Sequence, residues 1–173
     1  MAILQIKTAD ELGAGELEER WKTRRAGRET AVSRRVLRLF VDRGGLIPVE
    51  DVVASFPHLP AAAVQQALVT LDEDDLIRIQ NGHVDMAYPF SASPTPWAVR
   101  LPGGQERFAC CAVDALGIAP MIGQHVEIRS RCHHCGEPLA LWSTPEGAGP
   151  AGSGIMLWVG RRTDVRCKVA DSL

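Results

Sequence analysis

Apolar positions follow two different periods along this chain, and the change from one to the other divides it. "SRRVLRLFVDRGG" places Val36, Leu37, Phe40 and Val41 in a helical stripe, with Ser33 as the expected N-cap and Gly44-Gly45 as the stop. "IPVEDVVASF" predicts a shorter helix with Pro48 in its first turn, and "LPAAAVQQALVTLDEDD" a third built on Ala63, Val64, Ala67, Leu68 and Leu71. A polar, charge-mixed stretch from Glu11 to Arg28 around Trp21 reads as a further helix ahead of these. In "DLIRIQNGHVDMAY" the period drops to two on either side of Asn81-Gly82, a pair suited to a tight hairpin turn with two positive φ angles.

The Pro-, Ser- and Gly-rich "SASPTPWAVRLPGG" marks a boundary, so residues 1–92 and 93–173 are expected as two domains. Beyond it, "PWAVRL", "HVEIRS", "PLALWST" and "IMLWVG" read as strands, "RFACCAVDALGI" as a short helix and "EGAGPAGSG" as a loop. The fold class is therefore α+β. A three-helix, winged-helix-like unit with a hairpin precedes a small mixed α/β domain. The third helix carries no Lys or Arg from Ala61 to Asp75 and ends in "DEDD", which would repel phosphates. A scaffold that does not bind DNA is expected.

Composition narrows the function. Of 173 residues, 46% are hydrophobic and 23% charged, the balance of a folded globular chain. A net charge of −2 gives no general attraction to nucleic acid or an anionic membrane. The N-terminus lacks the basic and apolar regions of a signal peptide, and no apolar run is long enough to span a bilayer. Five cysteines, an odd number without a secretory signal, suit reduced thiols in a cytoplasm better than a disulfide framework.

Four of those cysteines crowd into "RFACCAVDALGIAPMIG" and "SRCHHCGEPL". On a helix Phe108, Cys111, Ala112 and Ala115 would share a face, with Cys110 turned about 100° away. Cys110 and Cys111 should then do different jobs, and one of them is expected to pack as a small hydrophobe. Cys111 and Asp114, three residues apart, would be neighbours. A thiol beside a carboxyl makes sense where the carboxyl moves a proton. Cys132 and Cys135 have the spacing of a metal knuckle, but zinc needs a second ligand pair, and adjacent Cys110 and Cys111 would chelate poorly. Gly136-Glu137-Pro138 argues against the helix that a thioredoxin-like redox motif requires.

Phe108, Cys111, Ala112, Asp114, Leu116, Pro120, Gly123, Ser130 and Cys132 fall at intervals that closely resemble the core of the organomercurial (alkylmercury) lyases. The likeness runs from about Ser33 to Asp164, and that family is similar in having a winged-helix-like domain that does not bind DNA. The resemblance implies protonolysis of a carbon–mercury bond, yielding a hydrocarbon and Hg(II) without an organic cofactor. It implies Cys111 as the attacking thiolate, Asp114 as the group that takes and returns the proton, and Cys132 as a structural cysteine. An organomercurial is the implied substrate and a mercuric reductase the implied recipient of Hg(II). The family's second catalytic cysteine would fall at or just beyond Leu173. The chain is thus expected to be either a shortened lyase or one that recruits Cys167, Cys110 or Cys135 as the further mercury ligand. Two rival functions are a non-catalytic thiol protein binding Hg(II), Cu(I) or Zn(II), and a metal-sensing winged-helix regulator.

Overall fold

The structure, a computed structural model, describes Glu11 and residues 30–157. Apart from Glu11, the expected Glu11–Arg28 helix lies outside the described residues, as do Cys167 and the second half of "IMLWVG". Helix α1 (Ala31–Asp42) buries Val32, Val36, Leu39 and Phe40. Its N-cap is Thr30, not Ser33. Thr30 has extended backbone, and its Oγ1 accepts the Ser33 amide at 3.1 Å. Ser33 is itself buried in the first turn. A short strand β1 (Ile47–Pro48) leads into α2 (Val49–Ala54), and α3 (Ala61–Glu73) packs through Val64, Leu68 and Leu71 while Ala63 is exposed. The hairpin follows as expected, with β2 (Ile77–Gln80) and β3 (His83–Ala87) joined by Asn81 at φ 50° and Gly82 at φ 75°.

Strands β4 (Phe90–Ser91), β5 (Ala98–Arg100), β6 (Glu106–Ala109), β7 (Val126–Arg131), β8 (Pro138–Thr144) and β9 (Gly147–Ala148) extend one antiparallel sheet. Its order is β1-β3-β4-β6-β5-β7-β8-β9, with β2 on the other side of β3. The sheet and a continuous apolar core from Val32 to Leu141 span both halves of the chain, which makes the molecule a mixed α/β fold. Phe40 of α1 stacks on Phe90 of β4 with ring centroids 6.1 Å apart. The Pro/Ser-rich stretch is tied to β6: Thr95 Oγ1 donates to the Ala109 carbonyl at 2.7 Å, and the Ala109 amide donates to the Trp97 carbonyl at 2.9 Å.

Three local expectations are corrected here. "RFACC" does not begin a helix, because Arg107, Phe108 and Ala109 are paired in a strand held by β4 and β5. Phe108 therefore shares no helical face with Cys111. Helix α4 (Ala112–Ile122) starts later and runs through Pro120 to Gly123, whose φ of 67° closes it in the left-handed region. A proline inside a helix deprives the carbonyl four residues earlier of its donor. That carbonyl belongs to Leu116, and the fully buried Ser143 of β8 donates its hydroxyl to it at 3.3 Å. The substitute donor lets α4 continue past Pro120. "EGAGPAGSG" also holds more structure than a loop, including β9 and a 3-10 turn at Pro150–Gly152. Residues 155–157, the described part of "IMLWVG", are not in a strand.

Ser143→Ala should lower unfolding stability by about 1 kcal/mol, the usual net worth of one such hydrogen bond. Adding Pro120→Ala, which restores the backbone donor, should recover most of that loss. Additive losses in urea melts of the two single variants and the double would contradict this pairing.

Candidate active site

Strand β6 delivers the chain to the site and α4 carries it away, so the two cysteines sit in the turn between them. The Cys110 amide donates to the Pro89 carbonyl at 3.0 Å, and its side chain is buried beside Met86 and Tyr88. Burial, followed by the charge of Asp114, pushes the Cys110 thiol far above its ordinary range. Its thiolate is therefore disfavoured at neutral pH, and Cys110 packs as a small apolar side chain.

Cys111 has a different position. It is the N-cap of α4, with extended backbone, and is only partly buried. Asp114 is in the first helical turn, and the Cys111 Sγ donates to its Oδ2 at 3.0 Å. The pair expected from spacing is thus formed, but by the geometry of a helix start rather than two stacked side chains on a helix face. Burial first, then the Asp114 carboxylate, pushes the Cys111 thiol up to about 11. The amides of Asp114 and Val113 pull the other way, as does the positive end of the helix dipole, but neither amide forms a capping hydrogen bond. The resting state is a thiol hydrogen-bonded to a carboxylate. A bound soft metal would displace that proton, and Asp114 is its nearest acceptor.

An apolar cavity of about 200 Å³ opens beside the first turns of α4, lined among others by Trp97, Ala112, Leu116, Ile128, Leu141 and Leu157. The sequence reading missed this cavity, taking Trp97 only as part of a strand. Ser143 and Arg107 were missed as well. The unfilled Leu116 carbonyl implied by Pro120 was the available signal for the first, and nothing local marked the second.

Cys132 and Cys135 lie in the β7–β8 turn, where the Cys132 amide donates to the Glu137 carbonyl at 2.8 Å. The Cys132 thiol is held below its ordinary value, mainly by the Cys135 amide and then the His134 amide. Among the described residues, no three His, Cys, Asp or Glu side chains gather in a way that could hold one ion. The structure thus pairs Cys111 with Asp114 and does not add a third such ligand to them.

The site is thus a partly buried thiol hydrogen-bonded to a carboxylate at a helix start, in a mixed α/β fold. Residues 90–173 match the alkylmercury lyase (MerB) family model. Over 103 residues it is 34% identical to an alkylmercury lyase of Staphylococcus epidermidis and 30% identical to those of Bacillus cereus and Clostridium butyricum. Each match covers 60% of this chain and 45% of the relative, so the matched region spans about half the length of these curated relatives. Among solved structures, the mercury-bound form of MerB2 shares the fold, with a TM-score of 0.60 at 22% identity over 78% of this chain and 66% of that one.

A thiol raised by burial and a facing carboxylate should react slowly with alkylating reagents at neutral pH. Cys111 alkylation, followed by peptide mass spectrometry, should climb through pH 9–11 as the thiolate forms. Asp114→Asn removes the repelling charge and should shift that rise to lower pH. A Cys111 profile that does not move in Asp114→Asn would show that the carboxylate does not act on the thiol.

Proposed function

We propose that the chain cleaves organomercurials by protonolysis at Cys111 and Asp114. The observation that carries this reading is the 3.0 Å contact between Cys111 Sγ and Asp114 Oδ2 at the head of α4. Mercury is soft and thiophilic, so an R–Hg⁺ cation exchanges for the Cys111 proton, which moves to the Asp114 carboxylate. Sulfur now donates electron density through mercury toward the carbon. Asp114, as a carboxylic acid, returns the proton to that carbon as the C–Hg electron pair collapses onto it. The products are R–H and Hg(II) on the Cys111 thiolate, with Asp114 again a carboxylate. Atoms and charge balance without an oxidant, and the reaction asks for no organic cofactor.

The apolar cavity beside Ala112 and Leu116 suits the organic group, which must leave water for the carbon to meet the acid. A further ligand would hold Hg(II) until a thiol-bearing acceptor, in this reading a mercuric reductase, takes it. Cys167 is the nearest candidate in sequence to the family's second thiol. Cys110 would first have to lose a proton that burial holds firmly. Cys132 acts as a supporting cysteine in the β7–β8 turn. The cytoplasm, where thiols stay reduced, is the compartment that suits this chemistry.

The first half, through about residue 92, serves as a winged-helix-like scaffold without DNA affinity. The order α1-β1-α2-α3-β2-β3, with β1 and β2 both paired to β3, supports the winged-helix likeness. The exposed surface of α3 carries acidic residues and no basic ones.

Cys111→Ser should abolish hydrocarbon release from methyl- or phenylmercury while circular dichroism stays normal. Asp114→Ala should still bind the organomercurial but release hydrocarbon at least a hundredfold more slowly, roughly the span of general acid catalysis. Turnover that persists in Cys111→Ser would remove the assignment. Cys167→Ser should slow turnover if that thiol is the further ligand, and leave it unchanged if it is not.

The full chain should show no salt-dependent binding to duplex DNA in gel-shift titrations at micromolar protein. Sub-micromolar, salt-sensitive binding would favour the regulator reading instead.

A further inference from the structure

We propose that the Cys132–Cys135 turn is a second thiolate site, distinct from Cys111, which chelates a soft d10 cation through the two cysteine sulfurs and takes Hg(II) as its cargo. The turn is tightly closed. The Gly136 amide donates to the Cys132 carbonyl at 2.9 Å, the Cys132 amide to the Glu137 carbonyl at 2.8 Å, and Arg131 Nη1 to the Gly136 carbonyl at 3.2 Å. Gly136 takes φ 74°, which lets the chain reverse directly after the second cysteine.

These bonds hold Cys132 and Cys135, three residues apart, in one closed reversal between β7 and β8. Two cysteines at this spacing in a closed turn have the arrangement of a metal knuckle. Packing does not account for the pair, because Cys135 is exposed and Cys132 only partly buried. Both thiols are free, so no disulfide accounts for it either. Solvent access is open from the outer side, where His133 and His134 are also exposed.

The identity of the cation follows from the ligand count. Zinc sites built on this spacing use four ligands, usually from two such pairs. Here no third His, Cys, Asp or Glu joins the two sulfurs among the described residues. Hg(II) and Cu(I) are content with two thiolates, and thiolate softness selects for them. Hg(II) is the cation that the chemistry proposed at Cys111 would release. Binding is simple exchange: one Hg(II) replaces two thiol protons, which go to solvent, and nothing is oxidised or reduced. The inference does not require turnover at Cys111, since the ion can be offered directly.

The test uses the full chain carrying Cys111→Ser and Cys167→Ser, titrated without oxygen with mercuric chloride against a competing monothiol. Bound mercury is counted after gel filtration, and the sulfur-to-mercury charge-transfer absorption is followed in parallel. One equivalent should be retained. Adding Cys135→Ser or Cys135→Ala should weaken retention about a hundredfold or more, beyond the cost of losing an outer partner alone. Circular dichroism should stay unchanged, because Cys135 is exposed. Retention of one equivalent without Cys135, or no retention in the starting variant, would overturn the site. Stoichiometric Zn(II) uptake that depends on Cys135 would overturn the assignment of its cargo. Loss of hydrocarbon release in Cys111→Ser tests the lyase reading separately, so the two can fail independently.

Discussion

The guanidinium of Arg107 closes the C-terminal end of α1 from the middle of the sheet, and the position of the thiol–carboxylate pair depends on that closure. Its Nε donates to the Phe40 carbonyl at 2.7 Å, its Nη2 to the Val41 carbonyl at 2.6 Å, and its Nη1 to the Glu106 carbonyl at 2.7 Å. The last carbonyls of a helix lack intrahelical donors, and a cation there also meets the negative end of the helix dipole. Gly44 fits the same arrangement. Its φ is 68°, and a Cβ on it would approach the Arg107 side chain to 3.1 Å. Arg107 lies on β6, four residues before Cys111. Fixing β6 against α1 therefore fixes where the turn into α4 begins.

From that anchor the site follows by short steps. Strand β6 is held between β4 and β5, Thr95 secures the Ala109 carbonyl, and the Pro89 carbonyl secures the Cys110 amide. Cys110 turns inward to Met86 and Tyr88. Cys111, one residue later, becomes the cap of α4 and faces Asp114. The two adjacent thiols thus receive opposite environments. Burial keeps one as an inert packing group, while the other keeps its proton within reach of a base. The same economy places the apolar cavity and the pair on one helix: Ala112 and Leu116 line the cavity, and Asp114 lies between them in sequence.

The helical half was legible because its signals are local. The stripe in α1 and the Asn81-Gly82 turn depend on nothing distant. The choice of Thr30 over Ser33 was less legible, since either side chain can cap and only burial of Ser33 decides. "RFACC" was misread because a short apolar run has no period of its own, and its strand form comes from partners on both sides. The short helix expected over "RFACCAVDALGI" stops before Pro120, and the Ser143 hydroxyl, 23 residues away in sequence, supplies the donor with which the helix goes on. Cys111 and Asp114 were legible despite these errors, because three residues separate them on a helix face and at a helix start alike. Arg107 could not be found from the sequence, where a lone arginine in a strand looks like a solvent-facing residue.

In the proposed reaction one proton, held by Cys111 against Asp114, passes to the carboxylate when mercury binds. Infrared difference spectra on adding phenylmercury to the full chain observe both ends of that transfer. The S–H stretch assigned to Cys111, absent in Cys111→Ser, should vanish as a protonated-carboxyl C=O stretch appears, and the carboxyl band should be missing in Asp114→Asn. Loss of the S–H band with no carboxyl band at any time before hydrocarbon release would show that the proton goes directly to solvent, and would contradict the central claim.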